Sequence, residues 1–204
     1  MANVVRAALV QATWTGATES MVAEHERHAR EAARQGARII GFQEVFNAPS
    51  FWEKYHFRPG DFGWPVFDTA VGKVGVSLCY DRHFPGGRRQ LGLNGAQLVD
   101  NPSATHRGLS SHLWRLEQPA AAVANACFVA ALNRVGQEEY GDDDFYGTRY
   151  FADPRGRFVG DTASDTAEEL LVHDLDFDLI EAVRQQWAFY RDRRPDAYEG
   201  LVQP

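Results

Sequence analysis

The sequence predicts a layered α/β domain in which sheets are covered by helices. Short apolar runs alternate along the chain with amphipathic or Ala-rich stretches, the order expected when strands and helices stack in layers. Turn signals at Ala70-Val71-Gly72 and Asp153-Pro154-Arg155-Gly156 add two hairpins. Two further runs stop abruptly at a reactive side chain, one after Phe42-Gln43 at Glu44 and one after Leu78 at Cys79. Open α/β sheets gather their ligand sites at such strand ends.

Composition narrows the class. A chain of 204 residues is one domain, 1–204, able to bury roughly 70% of its unfolded surface without cross-links, with 188–204 as an extended C-terminal tail. Hydrophobic residues at 44% and charged residues at 24% are those of a soluble globular protein. A net charge of -7 argues against a general nucleic-acid binder or a binder of anionic membranes. Small molecules or other copies of the chain are the expected partners. Two cysteines form no disulfide framework, and without a C-x-x-C or Cys/His cluster no metal or cofactor is expected. Met1 to Arg6 lacks the apolar core of a signal peptide, and no run approaches membrane-spanning length. A reducing cytoplasm, where a thiol stays available, is the expected location.

In chain order, Val4 to Ala12 is a first buried strand. A helix starts at Thr18-Glu19-Ser20, with Thr18 as cap and Met21, Val22, Ala29, Ala32 and Ala33 as its inner face, and Gly36 ends it. His25 and His28 are expected on its solvated side. Ala37 to Phe42 is the strand that leads to Glu44. Val66–Asp68 and Val74–Leu78 form the first hairpin, Arg88–Leu93 a short helix and Ala96–Val99 a strand. Ser110–Ala126 is a helix that Pro119 should kink or interrupt, and Cys127–Leu132 a strand whose thiol belongs to the core. Thr148–Ala152 and Arg157–Gly160 make the second hairpin, followed by a strand at Glu169–Asp174 and a helix at Phe177–Trp187.

The candidate chemistry sits at the strand ends. Cys79 reads either as a small buried hydrophobe or as a nucleophile, and the run Asp81-Arg82-His83 at its exit favours the second. A thiol of ordinary pKa is only slightly ionised at neutral pH, so it then needs a base or a positive charge beside it. Glu44 reads either as a solvated loop residue or as that base, since burial raises a carboxyl toward the useful range. Glu53, in the aromatic stretch Phe51-Trp52-Glu53-Lys54-Tyr55, is a second site carboxylate or the partner of Lys54 or Arg58.

Phe42-Gln43-Glu44, Phe51-Trp52-Glu53-Lys54, Cys79-Tyr80-Asp81-Arg82-His83-Phe84-Pro85, Asn101-Pro102-Ser103-Ala104-Thr105, Trp114-Arg115-Leu116-Glu117-Gln118-Pro119-Ala120 and Asn133-Arg134-Val135-Gly136 together resemble the nitrilase superfamily of carbon-nitrogen hydrolases. Within it they look most like β-ureidopropionase and related N-carbamoyl amidohydrolases. The resemblance implies an α-β-β-α sandwich that pairs into an α-β-β-α-α-β-β-α homodimer or a higher homo-oligomer. It implies Glu44 as base, Cys79 as nucleophile and Glu53 as a second catalytic glutamate. The substrate would be a small amide or N-carbamoyl amino acid, with Arg82, His83 and Thr105 binding it, Arg82 being equally readable as a structural salt-bridge partner.

One departure accompanies it. Relatives carry a catalytic lysine in a Lys-x-His-x-Pro motif between the first glutamate and the Trp-Glu-Lys loop, whereas here Asn47-Ala48-Pro49-Ser50 runs directly into Phe51-Trp52-Glu53. The two lysines, Lys54 and Lys73, both lie outside such a motif. The missing segment would also supply a helix and strands, so the sandwich is expected to be incomplete. The alternative function is a catalytically impaired relative kept as a subunit or binding protein.

Overall fold

Alternating apolar positions set the register of two stacked sheets. The computed structural model describes residues 3–44, 58, 60–138 and 144–203. The first sheet has the order β10-β1-β2, from Glu169–Asp176 (β10), Val4–Gln11 (β1) and Ile39–Gly41 (β2). β1 runs antiparallel to β10, with Val4 opposite Asp176, and parallel to β2, with Ala7 opposite Ile39. The second has the order β3-β4-β5-β6-β9, from Val66–Thr69 (β3), Gly72–Val76 (β4), Leu98–Pro102 (β5), Phe128–Leu132 (β6) and Tyr150–Ala152 (β9). Val135–Gln137 (β7) and Asp144–Tyr146 (β8) form a separate ribbon.

β6 shows how one strand serves two cores. Phe128, Ala130 and Leu132 enter the cluster between the sheets, with Val5, Ala7 and Leu9 of β1, Leu171 and Leu175 of β10, and Phe151. Val129 and Ala131 point the other way, toward Leu91 of helix α2 (Pro85–Leu93) and Trp114 and Ala122 of helix α3 (Leu109–Asn125). A strand buried on both faces has no polar side, which is why it reads as an unbroken apolar run. Helix α1 (Thr18–Arg34) packs on β1 and β10, so the layers are helix, sheet, sheet, helix. Helix α4 (Asp178–Gln186) follows β10 and sends Ile180 into the inter-sheet core.

Several expectations are corrected. His25 and His28 are buried, not solvated: with Met21 and Ala32 they form a stripe at 21, 25, 28 and 32, the repeat of a helical face. Val22 is the residue that points outward. Thr18 is the first helical residue, not the cap; Ala17 holds that place with no side-chain bond. Pro119 does not interrupt α3, which runs from Leu109 to Asn125. The second hairpin shrinks to β9 and a single bridge between Ala152 and Phe158, and the positive φ of Gly147 and Thr148 keeps them out of β9. The β7–β8 ribbon was not anticipated from the sequence. Beyond α4, Tyr190 donates its hydroxyl to the Asn125 carbonyl at 2.6 Å, with the guanidinium groups of Arg89 and Arg184 on its ring.

Candidate active site

Two strand ends deliver the two reactive side chains to one place. Past β2, the Gln43 side chain locks onto Ala12, accepting from its N–H at 3.0 Å and donating to its carbonyl at 2.9 Å. That clamp ties the chain to the end of β1, and Glu44 follows directly. Past β4, the chain enters a 3-10 turn at Cys79–His83. Cys79 itself sits at φ +33°, a left-handed conformation that costs a residue with a Cβ on the order of 1–2 kcal/mol. The turn is held by Asp81, whose carboxylate accepts from the Leu78 N–H at 2.9 Å, and by Arg82, whose Nη1 donates to the Cys79 carbonyl at 2.9 Å.

The Cys79 thiol hydrogen-bonds to the Glu44 carboxylate. Burial first, then the charge and hydrogen bond of Glu44, push the thiol up to about 12. Arg82 and a hydrogen bond from the Ala104 backbone N–H pull the other way. The resting pair is therefore a protonated thiol facing a proton acceptor, not a free thiolate.

Arg82 lies in the wall of the site. Its buried guanidinium places Nη1 3.7 Å from the Cys79 sulfur and donates through Nη2 to Ser110 Oγ at 3.3 Å. It also stacks on Trp114, 5.6 Å from the ring centre. Glu117 of α3 holds two members of the turn at once: Oε2 lies 3.5 Å from Arg82 Nε, and Oε1 lies 2.8 Å from His83 Nδ1. Beneath the strand end a buried polar chain runs from Arg88 through Gln118 to Asn101, which reaches the Ser77 carbonyl.

The Thr105 backbone is fixed by Asn133, which accepts its N–H at 2.9 Å and donates to its carbonyl at 3.0 Å. Its hydroxyl is paired with Ser110. That anchorage holds the loop whose Ala104 amide meets the sulfur. Glu44, Cys79, Arg82, His83 and Thr105 thus converge, while Glu53 and Lys54 lie outside the described residues. Lys73 is far from this chemistry in role: it pairs with Asp68 at 2.6 Å on the exposed β3–β4 hairpin. Sequence reasoning did not assign roles to Glu117, Ser110 or the Ala104 amide. Glu117 stood within the quoted Trp114–Ala120 stretch, and its place one helical turn from Trp114 was the available signal.

Glu44 and Cys79 thus meet from strand ends in two different sheets, β2 and β4. The carbon-nitrogen hydrolase family profile matches residues 6–50 and 47–185, and the chain belongs to that family. Among individual relatives, the chain is 39% identical over 168 residues to the N-carbamoylputrescine amidase of Arabidopsis thaliana, covering 76% of this chain and 56% of that protein. It is 37% identical over 181 residues to the Arabidopsis thaliana beta-ureidopropionase, covering 80% and 44% respectively. The chain spans about half the length of the curated relatives it matches. The carbon-nitrogen hydrolase of Helicobacter pylori G27 shares the fold with a TM-score of 0.92 at 22% identity, over 99% of each chain. An amidase of Nesterenkonia AN1 from the nitrilase superfamily superposes with a TM-score of 0.83 at 21% identity, over 97% of each.

Proposed function

We propose that this chain hydrolyses the carbon–nitrogen bond of an N-carbamoyl amine or a related small amide, using Cys79 as nucleophile and Glu44 as base. The observation that supports it most is the hydrogen bond between the Cys79 thiol and the Glu44 carboxylate. N-carbamoyl substrates are favoured because the relatives quoted above are an N-carbamoylputrescine amidase and a beta-ureidopropionase.

Glu44 takes the thiol proton as sulfur attacks the carbamoyl carbon. The tetrahedral adduct collapses with cleavage of the carbon–nitrogen bond, and the proton passes from Glu44 to the leaving ammonia. Glu44 then deprotonates water, which releases the thiol and a carbamic acid that decomposes to the amine and CO2. A thiol at about 12 makes no stable thiolate near neutral pH, so attack and proton transfer to Glu44 are coupled. Arg82 and the Ala104 amide are the described groups that favour negative charge on sulfur. Arg82 acts as a positioning residue under this reading, and His83, with Nδ1 held by Glu117, offers Nε2 to a substrate carboxylate. Glu53 is retained as a second site carboxylate by resemblance alone. Since the mechanism needs a free thiol, a reducing cytoplasm is the proposed setting.

The experiment is ammonia release from N-carbamoyl-β-alanine and N-carbamoylputrescine, with Cys79→Ala beside the parent chain. Release that vanishes in Cys79→Ala supports the reading. No release from folded protein on either substrate or on simple aliphatic amides overturns it, and leaves the non-catalytic subunit as the better account.

A further inference from the structure

The ladder between β4 and β5 stops two residues before Cys79. Its last paired residues are Val76 and Asp100, and the Ser77 N–H still donates to the Asp100 carbonyl at 2.9 Å. In a parallel ladder the Ser77 carbonyl would next accept from residue 102, but that residue is Pro102 and has no N–H. A buried carbonyl then needs a donor from elsewhere. The side chain of Asn101 supplies it: Nδ2 donates to the Ser77 carbonyl and lies 3.5 Å from the Cys79 carbonyl, which Arg82 also holds at 2.9 Å. The left-handed Cys79 is thus bracketed by held carbonyls, and such a conformation persists only where its surroundings over-determine it.

Asn101 does not set its own direction. Its Oδ1 accepts from Gln118 Nε2 of α3 and from Ser103 Oγ, the latter at 3.2 Å. Gln118 Oε1 accepts in turn from Arg88 Nη2 of α2 at 2.6 Å, and Arg88 Nε reaches back to Ser77 Oγ at 3.4 Å. Ser77, Asn101, Gln118 and Arg88 therefore close a ring, and all four are buried. A guanidinium only donates, so the direction of both amides follows from Arg88. Gln118 must give its oxygen to Arg88 and its NH2 to Asn101, and Asn101 must then give its oxygen to Gln118 and its NH2 to the carbonyls. Burial lowers Arg88 only to about 10, so it remains a donor at neutral pH. A reversed amide would set oxygen against oxygen, and an unpaired buried polar group costs about 1–3 kcal/mol.

We propose that Gln118 is a positioning residue for Cys79: it carries the donor direction of Arg88 to Asn101, whose amide then holds the turn that presents the nucleophile. The inference rests on Cys79 being that nucleophile. Gln118 bonds to Arg88 and Asn101 and not to Cys79, so its effect reaches the sulfur through Asn101. The ring ties α2, α3 and β5 to the residue past β4, and it fixes the turn from beneath while Glu117 and Arg82 fix it from the side.

Gln118→Met keeps the length of the side chain and cuts both bonds, and it is compared with the parent chain by ammonia release and by iodoacetamide alkylation mapped to the Cys79 peptide across pH. Expected for the folded variant is a kcat about tenfold to a hundredfold lower with KM little changed. The alkylation profile of Cys79 should also move downward, because a sulfur that drifts from Glu44 loses the charge and hydrogen bond that raise it. A folded Gln118→Met with a lower melting temperature but the parent's kcat and alkylation profile overturns the proposal and leaves Cys79 as nucleophile. If the parent chain releases no ammonia, the nucleophile reading fails, and the alkylation profile alone still decides whether Gln118 positions the thiol. If Gln118→Met fails to fold by circular dichroism, Gln118→Glu replaces it: its carboxylate accepts from Arg88 but has no proton to give Asn101, so the same losses are expected, and the parent's kcat and alkylation profile in that variant would overturn the proposal.

Discussion

Two carboxylates act on the Cys79 turn in opposite senses, and that opposition can be measured. Glu44 raises the thiol by charge and hydrogen bond, while Arg82, held by Glu117, lowers it. Glu44→Gln should therefore move the pH profile of Cys79 alkylation downward while turnover falls about 10²- to 10⁴-fold, because the base is lost. Glu117→Gln should move that profile upward as Arg82 loses its anchor, with kcat reduced about tenfold to a hundredfold by misplacement of the turn. A purely structural Glu117 would lower the melting temperature and leave the alkylation profile alone. Asp100 offers a stability test. Burial holds its carboxyl up at about 7, whereas an unfolded aspartate ionises near about 3.9. Between those values the folded chain binds more protons than the unfolded one, so this group's contribution to stability declines as pH rises through that window. Asp100→Asn should gain on the parent chain between about pH 4 and 8, by on the order of 1–3 kcal/mol after allowance for the partial exposure of Asp100. Denaturant melts at the two pH values check it, and a difference independent of pH would refute the assignment.

At the scale of elements, placement of the base depends on how closely β2 approaches the second sheet. A Cβ at Gly41 would lie 2.5 Å from Leu132 Cδ2, so Gly41→Ala forces either Leu132 or β2 to move. We expect a loss of about 1–3 kcal/mol, measured by chemical denaturation, together with a drop in ammonia release, because Glu44 lies three residues beyond Gly41. Loss of stability with full activity would show that the strand end tolerates the shift. The same elements explain what sequence could and could not reveal. Val74, Val76 and Leu78, then a cysteine followed by charge, expose a strand end because apolar alternation and its abrupt stop are local signals. Glu44 was visible for the same reason. His25 and His28 were misjudged by residue type, although their spacing with Met21 and Ala32 follows the buried face. The link from Glu117 to His83 spans 34 positions, and no local periodicity encodes such a meeting. The three-residue strands β7 and β8 are too short for alternation to register.

For the molecule as a whole, a chain that spans about half the length of the curated relatives it matches forms both sheets of the sandwich. The inter-sheet core joins β1, β6 and β10, elements from both ends of the sequence, so the strand ends that carry Glu44 and Cys79 are braced by contacts distant along the chain. No helix among the described residues is long and apolar enough to cross a membrane. The most direct test of the base–nucleophile pair is rapid-quench mass spectrometry of the chain mixed with N-carbamoyl-β-alanine. The account predicts an adduct equal to substrate less ammonia on the peptide bearing Cys79, formed far more slowly in Glu44→Gln. An adduct on Cys127, or equal rates of formation with and without the Glu44 carboxylate, would contradict it.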